Sequence, residues 1–207
     1  MTMNSSRIAL AIAAAGLLSA CVSVLPKAPP AAARYLLSPV DFSAEEGPKV
    51  SWSLAVDDPQ STRVYDTTKI ALVRAPGRVE YYATGEWADR GPRLVEAAII
   101  RSFENSGRIL GVGDRATMAL SDFVLETDIR TLHATYENGA PNATIEIFAR
   151  LTNGRGKIYA AKLFKHAEPA SGDTEPDVVK AFDGAMTETL RELVEWTFAE
   201  ASARKSQ

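Results

Sequence analysis

The chain has 207 residues, with 23 basic against 26 acidic side chains, a formal charge of −3 and one cysteine. This balance supplies no basic stripe for nucleic acid and no polybasic stretch for anionic lipid, and a lone thiol excludes a disulfide framework or a CxxC metal or redox site. The length suffices for one ordinary hydrophobic core without covalent staples.

The first element is a secretory signal. Arg7 precedes an apolar run, Ile8 to Leu18, that is too short to span a bilayer, and small residues lead into Leu18-Ser19-Ala20-Cys21. A cysteine directly after the small pair makes this a bacterial lipobox. By resemblance to the lipoprotein pathway, residues 1–20 are a signal peptide removed after Ala20. Cys21 then carries an S-diacylglycerol group and an N-acyl chain such as palmitate. One acyl chain binds a membrane only marginally, whereas two or three, at about 0.8 kcal/mol per buried methylene, anchor it stably. Val22 stands where an aspartate would retain a lipoprotein of enteric bacteria in the inner membrane, so the expected location is the outer membrane, facing the periplasm. Residues 21–33, with Pro26, Pro29 and Pro30, read as a lipidated linker. At about 3.1 Å per residue it would reach roughly 35 to 40 Å.

Residues 34–207 are expected to form a single domain. Strands are predicted at Tyr35–Leu37, Val50–Val56, Ile70–Arg74 and Arg78–Tyr82 from apolar alternation. A helix follows from Pro92 to Asn105-Ser106-Gly107. Its apolar stripe is Leu94, Val95, Ala98, Ile99 and Phe103, and Arg93, Glu96, Arg101 and Glu104 lie opposite. A short strand is predicted at Arg108–Val112. From Asp122 to Tyr136 the apolar parity switches between Ile129 and Leu132, which requires a bulge near Arg130 and Thr131. A turn at Asn138–Asn142, a strand Ala143–Thr152, a turn at Asn153-Gly154-Arg155-Gly156 and a strand Lys157–His166 complete an antiparallel meander. The last helix runs from about Glu175 to Ala203. The fold class is α+β, with a mainly antiparallel sheet and two amphipathic helices packed on one face.

Chemistry is sparse along this path. His133 and His166 lie in predicted strands without a carboxylate at a telling offset, and read as residues of the polar or edge face; no metal site is expected. Gly111-Val112-Gly113-Asp114 lacks the third glycine and the Lys-Ser/Thr of a phosphate loop, and no G-x-S-x-G or HExxH occurs. Asp57-Asp58 and Glu45-Glu46 read as solvated loops. The chain is therefore read as neither an enzyme nor a cofactor carrier.

The densest unusual stretch is Val79-Glu80-Tyr81-Tyr82-Ala83-Thr84-Gly85-Glu86-Trp87-Ala88-Asp89-Arg90-Gly91-Pro92. With Tyr65-Asp66, Lys69-Ile70-Ala71-Leu72, Ser102-Phe103-Glu104-Asn105-Ser106-Gly107-Arg108, Tyr35-x-Leu37 and the lipobox, it resembles the ABC-type transport auxiliary lipoproteins. The resemblance implies an accessory subunit of a transporter built on a mammalian-cell-entry (MCE) domain protein, moving lipids across the Gram-negative envelope. The implied partners are the MCE-domain protein, ABC transporter subunits and the membrane through the anchor, with phospholipid as a further candidate and no nucleic acid. It brings no catalytic set, and Cys21 is its only chemically defined residue.

Tyr81 and Tyr82 are neighbours on a strand and point to opposite faces, one buried and one available to a partner. Trp87 has two readings: a core residue stapling the helix start against Val95 or Ile99, or a partner-facing ring. Asp89 fits a cap of that helix. The alternative function is a stand-alone periplasmic lipid carrier, which would need a cavity lined by Phe123, Ile147, Phe182 and Leu190.

Overall fold

The computed structural model describes residues 33–42, 47–137 and 140–205. The signal peptide, Cys21, most of the linker, Glu45-Glu46 and the Asn138-Gly139 turn lie outside the described residues. The strands are β1 (Ala33–Tyr35), β2 (Ser53–Val56), β3 (Gln60–Ser61), β4 (Lys69–Ala75), β5 (Arg78–Trp87), β6 (Gly111–Asp114), β7 (Phe123–Glu137), β8 (Ala140–Thr152) and β9 (Ile158–Pro169). The helices are α1 (Gly91–Asn105) and α2 (Glu175–Lys205). The α+β class holds.

β7 is the spine of the sheet. Along one side it pairs in parallel with β2, β3 and β4 in succession, and along the other it runs antiparallel to β8. The β7–β8–β9 meander is present as expected, and the register slips between Ile129 and Thr131, where the parity switch demanded a bulge. Ile129 and Leu132 are both buried as a result. The sheet is mixed: its long ladders are antiparallel, but the short N-terminal strands join in parallel because loops and α1, not tight turns, connect them. The β4–β5 hairpin is the exception. It closes through Pro76-Gly77, with Gly77 at φ 74°.

Boundaries moved where tertiary contacts outweighed local pattern. β1 ends at Tyr35, and Leu37, Val40 and Phe42 are buried in an irregular strap instead of a strand. Ser102 Oγ accepts from the Val40 amide at 2.9 Å and Asn105 Nδ2 donates to the Val40 carbonyl at 2.8 Å, clamping the strap to α1. β5 continues to Trp87, five residues past its expected end. β6 begins only at Gly111, and β8 begins at Ala140, within the expected turn.

The two helices touch each other and share one core with the sheet. On β8, Ala143, Ile145, Ile147, Ala149 and Leu151 are fully buried. On α2 a stripe including Val178, Phe182, Met186, Leu190, Leu193 and Phe198 meets them. Thr189 and Thr197 lie within that stripe and donate to the carbonyls of Ala185 and Leu193, so their hydroxyls cost little there. Glu96, expected on the solvent face of α1, is buried and paired with Arg93 at 2.9 Å.

Candidate functional site

β5 presents the aromatic segment. Tyr81 points outward and is 42% exposed, while Tyr82 points inward and donates to or accepts from the Tyr136 hydroxyl at 2.9 Å. Burial and that hydrogen bond push the Tyr82 phenol well above its ordinary pKa. Arg74 lies 4.3 Å over the Tyr136 ring. Trp87 is 2% exposed and meets Phe182 of α2 edge-on at 5.4 Å, so it is withdrawn as a partner-facing residue. Its aromatic partner belongs to the last helix, a contact that proximity in sequence did not suggest, and Trp87 shares one core with Val95 and Ile99. Asp89 accepts from the amide of Arg90 at 2.7 Å, and no side chain caps α1. Pro92 in the first turn reduces the number of amides that need a cap.

The face of the sheet away from the helices carries the remaining exposed features. One row runs Asp128, Phe148, Leu163 across β7, β8 and β9, with Leu163 42% exposed. Arg130 and Arg150 lie over the Phe148 ring at 4.5 and 5.5 Å, and Arg150 pairs with Glu126 at 3.3 Å. A second row runs Tyr81, Ala71, His133, Thr144 from β5 to β8. Among the described residues β9 pairs only with β8 and leaves an open edge, bearing Lys162 and Lys165 and ending in Pro169, residues that discourage indiscriminate strand addition.

The histidines found partners that sequence spacing did not reveal. His133 Nδ1 is 2.8 Å from the Tyr65 hydroxyl and the ring is half-buried, which lowers its pKa. His166 faces the helix layer and lies 2.9 Å from Glu192, which also pairs with Lys162 at 2.8 Å. Lys162 first and His166 second hold the Glu192 carboxyl below the usual range. Among the described residues no group of three or more His, Cys, Asp or Glu side chains is placed to hold a metal. No helix of the described residues is long and apolar enough to cross a membrane.

The lining proposed for a lipid cavity is closed. Ile147, Phe182 and Leu190 are 0% exposed and Phe123 is 4% exposed, all within the one core. A cleft of about 410 Å³ lies at the surface instead, between Asp122, Tyr159 and Arg204.

The sequence model of the ABC-type transport auxiliary lipoprotein component family matches residues 35–194. A Xanthomonas campestris protein of family DUF330 has the same fold at a TM-score of 0.75, with 30% identity over 85% of this chain and 98% of that one. A hypothetical protein from Chlamydia trachomatis, 10% identical, shares the fold at a TM-score of 0.52 over 74% of this chain and 99% of that one. An uncharacterized protein of Bradyrhizobium diazoefficiens is 30% identical over 148 residues, 72% of this chain, and the chain spans 40% of that relative's length.

Proposed function

The chain belongs to the ABC-type transport auxiliary lipoprotein component family, and from that premise we propose that it is an accessory subunit of an MCE-type transporter moving lipids across the Gram-negative envelope. Cys21 is the lipid attachment point, and the outer membrane is the membrane that holds it. The partner is an MCE-domain protein, which docks on the helix-free sheet face around Tyr81 and Phe148 or adds a strand to the open edge of β9.

The closed core carries this reading. A carrier must shelter acyl chains, and the volume between sheet and helices is filled by Ile147, Phe182, Leu190 and their neighbours. The stand-alone carrier is therefore the weaker alternative. Affinity capture of the lipidated protein from detergent-solubilised membranes tests the choice. Recovery of an MCE-domain protein or transporter subunits, reduced by Tyr81→Ala, is the expected result. Capture of phospholipid in stoichiometric amount with no transporter component would overturn it.

A further inference from the structure

The composition supplies no run of basic residues, yet the fold assembles one. Three surface clefts of about 410, 330 and 310 Å³ adjoin at one end of the domain, the first two sharing Asp122 and the first and third sharing Lys205. Lys49, Arg115, Arg155, Lys157, Arg204 and Lys205 line them, against the single carboxylate of Asp122. These cations come from four separate stretches of a chain whose formal charge is −3, so the charge is segregated in space. Asp122 is largely occupied: it pairs with Lys205 at 2.5 Å and accepts from the Ser53 amide at 2.9 Å.

Apolar side chains project among these cations. Leu120 is 99% exposed, Leu110 70% and Ile158 55%. Leu120 and Ile158 each line a cationic cleft, and Leu110 precedes Gly111, the register partner of Ser53. A site for a soluble anion has no use for projecting leucines, and an acidic protein surface would leave them facing charge. Cations ringed around protruding aliphatic groups fit headgroup phosphates above an acyl layer.

We propose that this end of the domain docks onto an anionic phospholipid bilayer, with the cations on the headgroups and Leu120, Leu110 and Ile158 inserted at the interface. The contact is separate from the acyl anchor. The chain enters the domain at β1, whose Ala33 pairs with Gly85, beside Glu175 at the start of α2. The docking end lies at Arg204 and Lys205, where α2 finishes. At 1.5 Å per residue that helix separates the two by about 45 Å.

Residues 22–207, which retain the whole core cluster from Leu37 to Ala201 and lack the anchor cysteine, are suited to the test. Cosedimentation is measured with vesicles of phosphatidylcholine alone and of phosphatidylcholine with 30% phosphatidylglycerol. Binding is expected only to the anionic vesicles and weakens with salt. At about fivefold per cation, Arg155→Gln with Lys157→Gln lowers affinity roughly 25-fold. Leu120→Asp, at a side chain that is 99% exposed, lowers it about tenfold. Unchanged circular dichroism and urea midpoints verify that the variants fold. Absence of anionic-vesicle binding, binding insensitive to the double variant, or binding that survives Leu120→Asp and is displaced by millimolar inorganic phosphate would each overturn the proposal. Binding to an acidic soluble protein in place of vesicles would do the same.

Discussion

The hydroxyl of Tyr65 stands 2.8 Å from Nδ1 of His133, and the two rings stack at 6.1 Å with an interplanar angle of 23°. Tyr65 belongs to the turn before β4 and His133 to the middle of β7, so this contact holds an irregular segment over the outer face of the sheet. Ala71, which lies between Tyr81 and His133 in the row from β5 to β8, is buried.

Burial disfavours the imidazolium of His133 and lowers its pKa below 6.5. The unfolded chain therefore takes the proton first as pH falls. The contribution of His133 to stability is whole above pH 6.5 and is lost as pH drops from there through the folded pKa. Urea midpoints measured from pH 8 to pH 5 should decline, and His133→Gln should flatten that decline. An identical pH profile in the variant would contradict this.

Gly91 opens α1 beneath the same tyrosine. A Cβ there would lie 2.6 Å from the Tyr65 carbonyl oxygen and 3.0 Å from Leu132 Cδ2. Alanine gains up to about 1 kcal/mol of helix propensity, less at a helix start, whereas overpacking against backbone costs about 1 to 3 kcal/mol. Gly91→Ala is expected to destabilise by about 1 to 2 kcal/mol in urea unfolding. A stabilised variant would show that the strand and helix separate more easily than their packing implies.

Trp87→Ala removes a ring that is buried against Phe182 and should cost about 3 to 5 kcal/mol. Trp87→Phe should recover much of it. If Trp87 served a partner instead, truncation would leave the urea midpoint of the isolated protein unchanged and weaken only capture of that partner.

Arg108 lies between Gly47, whose Cβ would fall 2.6 Å from its Nε, and the face of Phe198, 4.0 Å from its Cζ. It also pairs with Glu195 at 2.5 Å. Arg108→Ala loses packing, the cation–π contact and the ion pair, for an expected loss of about 2 to 3 kcal/mol. Glu195 is 45% exposed on its side chain, so solvent screens its share and Glu195→Gln should cost less than about 1 kcal/mol. Denaturant unfolding of the two variants and their double mutant separates packing from charge.

The meander and both helices were legible because their signals are periodic and local. The parity switch between Ile129 and Leu132 located the bulge, and the stripe on α2 located its buried face. The parallel pairings of β2, β3 and β4 with β7 were not legible. A strand of two to seven residues records its buried face but not its neighbour, and the neighbour is chosen by how long connections fold back. The same limit governed the aromatic segment: alternation separated Tyr81 from Tyr82, but only the approach of α2 decided that Trp87 meets Phe182.

By itself the sequence determined the α+β class, the main elements and the resemblance that the family match bears out, since each rests on residues near one another in the chain. The tertiary structure decided the partners. His166 meets Glu192, His133 meets Tyr65, and cations from Lys49 to Lys205 meet at one end of a mildly acidic chain. Coulombic and hydrogen-bonding energies depend on distance in space, and residue spacing along the chain does not contain that distance.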